Sequence, residues 1–501
     1  MSELEKFLSK KTQEQETKIL LLEHELSQLK RMIFGAKSER FIPSAIPGQL
    51  TLDINGDKNE KVSEKETVNV ASHDRNKKTE DKKHPVRNAF PENLRREIFI
   101  IKPEGDLTGC KKIGEEYTEI LEVVKPEIYV KRYVREKYVC AEGGKIMIGE
   151  LPSRALDKSL LGEQLVAQII ADKYVDHLPL YRQGSRFKRM GIDISVSTIN
   201  DTVKNTCNLL EPLYACLQEL TLSADYLNVD ETTIKVLDHT KKADPKKKGK
   251  THLGYYWVYL DGKKKLVFFQ YRPGRGMEGP AKALKNFQGH LQTDGYSVYD
   301  AFDIKPGITL LGCMAHARRK FEEAKGNDAE RAEYILSRIQ ELYSIEREIR
   351  DNLSKLTPEE IVSKRDLKSK PILKGLEEWF KENQSQVTPK SPIGKAIQYA
   401  LTRWDKLSRY TENADLQIDN NLVENAIRPV AIGRKNFMFA GSHEGAKRAA
   451  MMYSFFGTCK LHNINPQEWL ADVLVRINDT KLSQLHELLP QNWKPSVKEI
   501  I

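Results

Sequence analysis

A chain of 501 residues has room for roughly two to four domains and a sizeable buried core, which excludes an isolated small module. Lys and Arg outnumber Asp and Glu by 81 to 71, a formal charge of +10 with a pI near 9.0, which favours a polyanionic partner without naming one. Six sparse cysteines without a C-x-x-C pair, charged opening residues and no apolar run near the roughly 18 residues of a membrane span predict a cytoplasmic protein with no membrane partner.

Ile19, Leu22, Leu26, Leu29 and Ile33 recur three and four residues apart, predicting a coiled-coil (zipper) helix within 1–40. An amphipathic helix docked on its own chain is the alternative reading. Residues 41–85 are largely polar, above all from Asp53 to His84, and predict a flexible linker. Within 86–152, the runs 119–124 and 127–139 alternate charged with β-branched or aromatic residues, predicting a small β-rich domain. Spacing turns helical again over 153–222. A helix is predicted over 180–190, a turn at Gly191, and a second helix capped by Ser195 or Ser197 and running through Val203 to Leu210. This pattern is helix-turn-helix-like. Arg182, Arg186, Lys188 and Arg189, with Thr198, Asn200 and Lys204, could reach DNA phosphates and base edges; an ordinary helical hairpin with a solvated basic face accounts for them equally well.

Leu227 and Val229 open a short apolar strand that ends at Asp230. After the lysine-rich loop 241–250, the β-forming runs 254–260 and 265–271 predict a hairpin turning at Asp261-Gly262. A helix over 280–287 then leads to a strand over 290–293 that ends at Asp294. Two strands ending in Asp can lie side by side and bring both carboxylates to one edge of a mixed sheet. Hard divalent cations such as Mg²⁺ favour such oxygen donors, and a third carboxylate normally completes the set. Glu424 is the candidate, on a helix capped by Asp419 or Asn420 and predicted to run to Arg428 before Pro429 stops it. Asp419 is the nearest rival. Taken singly, each acid is more often a cap or a surface charge.

The segments LKRMIFGAKSERF, IGEEYTEIL, DHLPLYRQGSRFKRMGIDIS, VDET, QTDGY, CMAHARRKF, NNLVENAIRPVAIGRKNFMFAGS and GAKRAAMMYSFFGTCKLHNINP occur here in one order. Across nearly the whole chain this resembles the insertion-sequence-66 family of bacterial DDE transposases. The resemblance implies an α/β, ribonuclease-H-like catalytic core over 223–440, with a helical insertion at about 323–413, followed by a C-terminal helical domain over 441–501. It implies that Asp230, Asp294 and Glu424 are the catalytic, metal-binding acids, served by Mg²⁺ with Mn²⁺ as a substitute. Transposon-end DNA and target DNA are the implied partners, met by a homo-oligomer that is at least a dimer, together with companion proteins of the same element. The implied setting is the bacterial cytosol and, when DNA is bound, the nucleoid.

In the segment CMAHARRKF, His316 could contact the scissile phosphate or relay a proton, although a structural histidine packed beside Cys313 is the plainer reading. Arg318, Arg319 and Lys320 suit phosphate positioning, and Arg428, Arg434 and Lys435 invite the same assignment. Relatives carry paired cysteines in the β-rich segment, whereas this chain retains only Cys110 and Cys140 there, so no zinc is expected. The expected activity is binding of terminal inverted repeats with metal-dependent strand cleavage and strand transfer. A noncatalytic DNA-binding regulator and a ribonuclease-H-like nuclease without strand transfer are the alternatives.

Overall fold

A computed structural model describes residues 128–135, 137–139, 146–148, 152–157, 159–238 and 251–495. The predicted zipper, the linker, Cys110 and Cys140 with most of the β-rich segment, and the loop 241–250 lie outside the described residues. Of the β-rich segment, strands β1 (Lys137–Val139) and β2 (Ile146–Ile148) pair antiparallel, with Tyr138 opposite Met147.

Four helices follow: α1 (Glu163–Tyr174), α2 (Leu180–Arg189), α3 (Val196–Leu209) and α4 (Glu211–Leu222). The break between α2 and α3 falls at Gly191, whose φ of +80° suits a residue without a Cβ, and the Ser195 hydroxyl accepts the Thr198 N–H to start α3. Both features agree with the sequence. Phe187, Ile199, Val203 and Leu213 are buried and join these helices to the core that covers one face of the main sheet.

That sheet, among the described residues, has five strands in the order β5-β4-β3-β6-β7. They are β3 (Tyr226–Leu237), β4 (Thr251–Asp261), β5 (Leu266–Arg272), β6 (Gly289–Gln292) and β7 (Ile308–Leu311). β3, β4 and β5 are antiparallel neighbours, whereas β3, β6 and β7 run parallel. Alternation along β3 supplies both faces: Leu227 and Val229 enter a cluster with Trp257, Tyr259 and Phe268, while Ile234 and Val236 enter the opposite core. Gly289, at φ +131°, starts β6 where an added Cβ would fall 2.1 Å from the Asp225 carbonyl oxygen, so only glycine admits this approach of β6 to β3.

The β4–β5 hairpin forms as expected but turns one residue later, with Asp261 closing β4. Asp261 is opposite Leu266, leaving Gly262 to Lys265 as the loop; the Asp261 carboxylate accepts the N–H of Lys263 (2.9 Å) and Lys264 (3.0 Å), and Lys265 takes a φ of +54°. A side-chain acceptor thus closes the turn. β5 is an edge strand whose free groups are covered by side chains. Its Phe269 N–H donates to Ser454 Oγ at 2.8 Å and its Val267 N–H to Thr458 Oγ1 at 3.2 Å, both on a later helix, and Phe269 C=O accepts the Tyr214 hydroxyl.

Short helix α5 (Glu278–Ala283) precedes β6 and is shorter than the sequence predicts. After β7 come α6 (Met314–Ala324), α7 (Ala329–Asp351), α8 (Pro358–Lys364), a π-turn over Arg365–Ser369, α9 (Lys370–Gln384), α10 (Pro392–Thr402) and α11 (Trp404–Ser408). Phe321, Phe380, Ile397 and Trp404 give this helical block its own core, which also takes in Tyr226 and Leu311 of the sheet. Next, α12 (Asn421–Phe437) does not stop at Pro429, contrary to expectation. Proline removes only the bond to the Asn425 carbonyl, and buried Val423, Val430 and Gly433 fasten the helix on both sides of it. Helices α13 (His443–Leu461) and α14 (Pro466–Arg476) complete the core shared with α1 to α4. Among the described residues no helix is long and apolar enough to cross a membrane.

Candidate active site

The parallel register sets Asn228 opposite Gln292, and two residues further along both chains come Asp230 and Asp294. Asp230 remains inside β3, paired with Val258, while Asp294 lies just past the end of β6. Glu424 occupies the first turn of α12. Asp230 feels the charge of both other carboxylates. Burial pushes the Asp230 carboxyl up to about 8, the negative charges of Asp294, Glu231 and Glu424 add to the rise, and the Glu231 N–H donated to Oδ1 at 2.7 Å only partly offsets it.

Buried amides fix the backbone beneath these acids. Asn228 Nδ2 donates to Asn420 Oδ1 at 3.0 Å, and Asn420 Nδ2 donates to the Val229 carbonyl at 2.9 Å. Gln292 Nε2 donates to the carbonyls of Gly312 (3.0 Å) and Gln417 (2.9 Å), while its Oε1 accepts the Tyr226 hydroxyl. Asn228, Gln292 and Asn420 are all fully buried. One network therefore ties the strand of Asp230, the strand leading to Asp294 and the turn preceding Glu424. The sequence marks none of these amides as buried; the available signal was Tyr226 and Asn228 at the two-residue spacing that continues to Asp230. Asn420 begins α12 without a side-chain capping bond, because its amide is committed to β3. Asp419 accepts the Asn421 N–H at 3.0 Å and the Tyr343 hydroxyl at 2.9 Å, a structural role for the rival third acid.

A fourth carboxylate, Glu231, points to the other face of β3. Its side chain is 2% exposed, Arg275 Nε reaches its Oε1 at 2.8 Å, and the Tyr299 hydroxyl donates to its Oε2 at 3.2 Å. Arg275 also lies over the Tyr296 ring at 3.8 Å, and the Tyr296 N–H donates to Asp294 Oδ1 at 2.8 Å. From the helical insertion, the Tyr399 hydroxyl donates to the Asp294 carbonyl at 3.1 Å and Arg403 Nη2 to the Gly295 carbonyl at 2.9 Å. Gly295 has a φ of +86° and an added Cβ would lie 2.8 Å from Arg403 Nε, so the clamp requires glycine.

His316, in the first turn of α6, sets Nδ1 3.7 Å from Glu424 Oε1. Both atoms are buried and have no hydrogen-bond partner. Arg318, Arg319 and Lys320 follow on the exposed side of α6, and Arg428 and Lys435 are exposed on α12. Arg434 instead donates to Thr233 O (2.7 Å) and Oγ1 (2.8 Å), joining α12 to β3. On the helical pair, Arg182, Lys188, Arg189 and Lys204 are exposed, Arg186 pairs with Asp172, Thr198 bonds Ser195, and Asn200 bonds back to the Val196 carbonyl at 2.9 Å.

These features define an α/β protein built round a mixed sheet, with half-buried carboxylates carried by β3, the residues just past β6 and the first turn of α12. Residues 158–448 match the Transposase IS66 family, residues 454–491 the IS66 C-terminal element, and residues 21–98 the Transposase C of IS166 homeodomain. The uncharacterized protein y4hP of Sinorhizobium fredii (strain NBRC 101917 / NGR234) is 33% identical, with 95% of this chain and 89% of that protein covered. The uncharacterized protein y4jD of the same strain is 32% identical, with 95% of each covered. The chain belongs to the IS66 transposase family.

Proposed function

We propose that this protein is a DDE-type DNA transposase with a ribonuclease-H-like core, which binds the terminal inverted repeats of an insertion sequence and cuts and joins DNA at Asp230, Asp294 and Glu424. Three antiparallel strands followed by two parallel ones, with the first acid on the central strand, support the core assignment. What supports the site is that β3, the end of β6 and the start of α12 are tied together by one buried amide network, with half-buried Asp230 feeling the charge of both other acids. Carboxylates crowded in a low-dielectric pocket repel one another, and a bound divalent cation reverses that penalty.

An all-oxygen donor set, including a buried Glu424 oxygen without a partner, fits Mg²⁺, with Mn²⁺ as a substitute. When bound, the ion supplies activation of the attacking oxygen and neutralisation of the phosphate. The acids hold their positions because β3, the clamped Asp294 loop and α12 are fastened by buried amides, so little reorganisation is needed at reaction. His316 steadies Glu424 or accepts a proton beside it. Arg318, Arg319, Lys320, Arg428 and Lys435 present charge for backbone phosphates, and the exposed bases of α2 and α3 do so for the repeat sequence. In the first step water bonds to phosphorus and a 3′-hydroxyl leaves. In the second that hydroxyl bonds to a target phosphorus as the target strand's own 3′-oxygen leaves and takes up the proton, an exchange of one phosphodiester for another that requires neither a covalent protein intermediate nor an external energy source. Two transposon ends call for at least a homodimer, with companion proteins of the element as further partners.

The test uses labelled terminal-repeat DNA, a target plasmid and Mg²⁺, with the element's companion proteins supplied. Wild type should give strand-transfer products, and Glu424→Gln should lose at least about 10³-fold of that activity while retaining end binding. Products at the wild-type level in the variant would reject Glu424. Cleavage without joining would indicate a nuclease, and binding alone a regulator.

A further inference from the structure

Beside the oxygen site the protein assembles a second donor set of different chemistry. Cys313 Sγ, a ring nitrogen of His316 and a carboxylate oxygen of Glu424 all lie within 4.8 Å of one another. Cys313 is 1% exposed and directly precedes α6, yet its thiol makes no capping bond to that helix. Instead it accepts the Asn420 N–H at 3.2 Å, the kind of outer hydrogen bond that stabilises a metal-bound thiolate. The other two donors are unused: His316 Nδ1 and Glu424 Oε1 are buried, without partners and 3.7 Å apart. With bonds of about 2.0–2.3 Å, tetrahedral donors sit about 3.3–3.8 Å from each other, so this pair is already at ligand spacing. The sulfur, no more than 4.8 Å from either, completes the set by closing to the roughly 3.5 Å expected between sulfur and nitrogen or oxygen donors.

We propose that Cys313, His316 and Glu424 form a binding site for a thiophilic divalent ion of the Zn²⁺ class, which withdraws Glu424 from the oxygen site and so silences it. The site lies outside the cysteine-poor β-rich segment, for which no zinc is expected. Sulfur and imidazole select Zn²⁺ or Co²⁺ over Mg²⁺, and three protein ligands leave a fourth position for water. On binding, the thiol proton passes to solvent and the thiolate takes its place on the ion. The silencing rests on the proposed role of Glu424; the binding itself does not.

Binding is read without DNA or Mg²⁺ by titrating the full chain with Co²⁺ and following the sulfur-to-cobalt charge-transfer band in the near ultraviolet. Wild type should show a band of which Cys313→Ser loses the Cys313 share, and His316→Gln, at a half-buried position suited to folding, should weaken binding roughly tenfold or more. Subtraction of the Cys313→Ser spectrum removes any signal from other cysteines. Identical titrations for wild type and His316→Gln, or a Cys313→Ser protein of native circular dichroism with an unchanged band, would overturn the site. In the strand-transfer assay, Zn²⁺ should inhibit in competition with Mg²⁺; inhibition that excess Mg²⁺ does not relieve would overturn the silencing.

Discussion

Asn420 shows how a single polar side chain governs the site. Its amide joins Asn228 to the Val229 carbonyl, next to Asp230, while its backbone starts the helix carrying Glu424. Asn420→Ala would take the side-chain donor from the Val229 carbonyl and leave the Asn228 amide with only its longer bonds to Tyr226 (3.5 Å) and Gln292 (3.4 Å), costing about 1–3 kcal/mol. Urea denaturation should report that loss, whereas Asn421→Ala, on the exposed side of the same turn, should cost much less. Equal midpoints for the two variants would contradict the assignment. At this scale the sequence draws attention to Asp230, Asp294 and Glu424 because acids beside apolar runs stand out, although β3 runs on past Asp230 to Leu237 instead of ending there as expected, since residues 231–237 continue the pairing with β4. It hides Asn228, Gln292 and Asn420, since burial of an amide depends on partners as far as 192 residues away. Glu231 was hidden for a related reason: strand alternation sends it to the opposite face, and its partner Arg275 is distant in sequence.

Helices and strands were legible where local chemistry decides them. Ser195, Gly191 and the apolar spacing of 180–210 mark the α2–α3 pair, and the β-branched and aromatic runs mark β4 and β5. Pro429 misled because packing of α12 on both sides outweighs one lost helix bond. The insertion is more than a spacer. Arg365, in its π-turn and 2% exposed, pairs with Glu346 through Nη2 at 2.7 Å and also donates to the carbonyls of Tyr410, Asn413 and Leu416. Those carbonyls belong to the segment running into Gln417, Asn420 and Glu424. Arg365→Met strands a largely buried Glu346 carboxylate and should cost roughly 3–5 kcal/mol. Thermal unfolding of Arg365→Met and of Arg365→Met/Glu346→Gln checks this: the double variant should recover part of the loss, and no recovery would argue against the buried pair as its source.

Across the whole molecule, the sheet, the α1–α4 helices and α13–α14 share one core, so the DNA-facing helices proposed here rest on the same body as the acids. A formal charge of +10 with exposed Arg182, Lys188 and Arg189 leads us to expect salt-sensitive end binding. Replacing the three by Ala should flatten the log–log salt dependence by about 0.9 for each phosphate no longer neutralised, measured by fluorescence anisotropy; an unchanged slope would move the interface elsewhere. Family membership was legible in the ordered motifs of the sequence, whereas the strand order was not, because paired residues of β3 and β6 stand 64 positions apart. The central claim is that Asp230, Asp294 and Glu424 share one cation site. Its most direct test is Mn²⁺ binding followed by electron paramagnetic resonance in wild type and in Asp230→Asn, Asp294→Asn and Glu424→Gln. Each variant should bind roughly tenfold or more weakly, and affinities equal to wild type in all three would contradict the account.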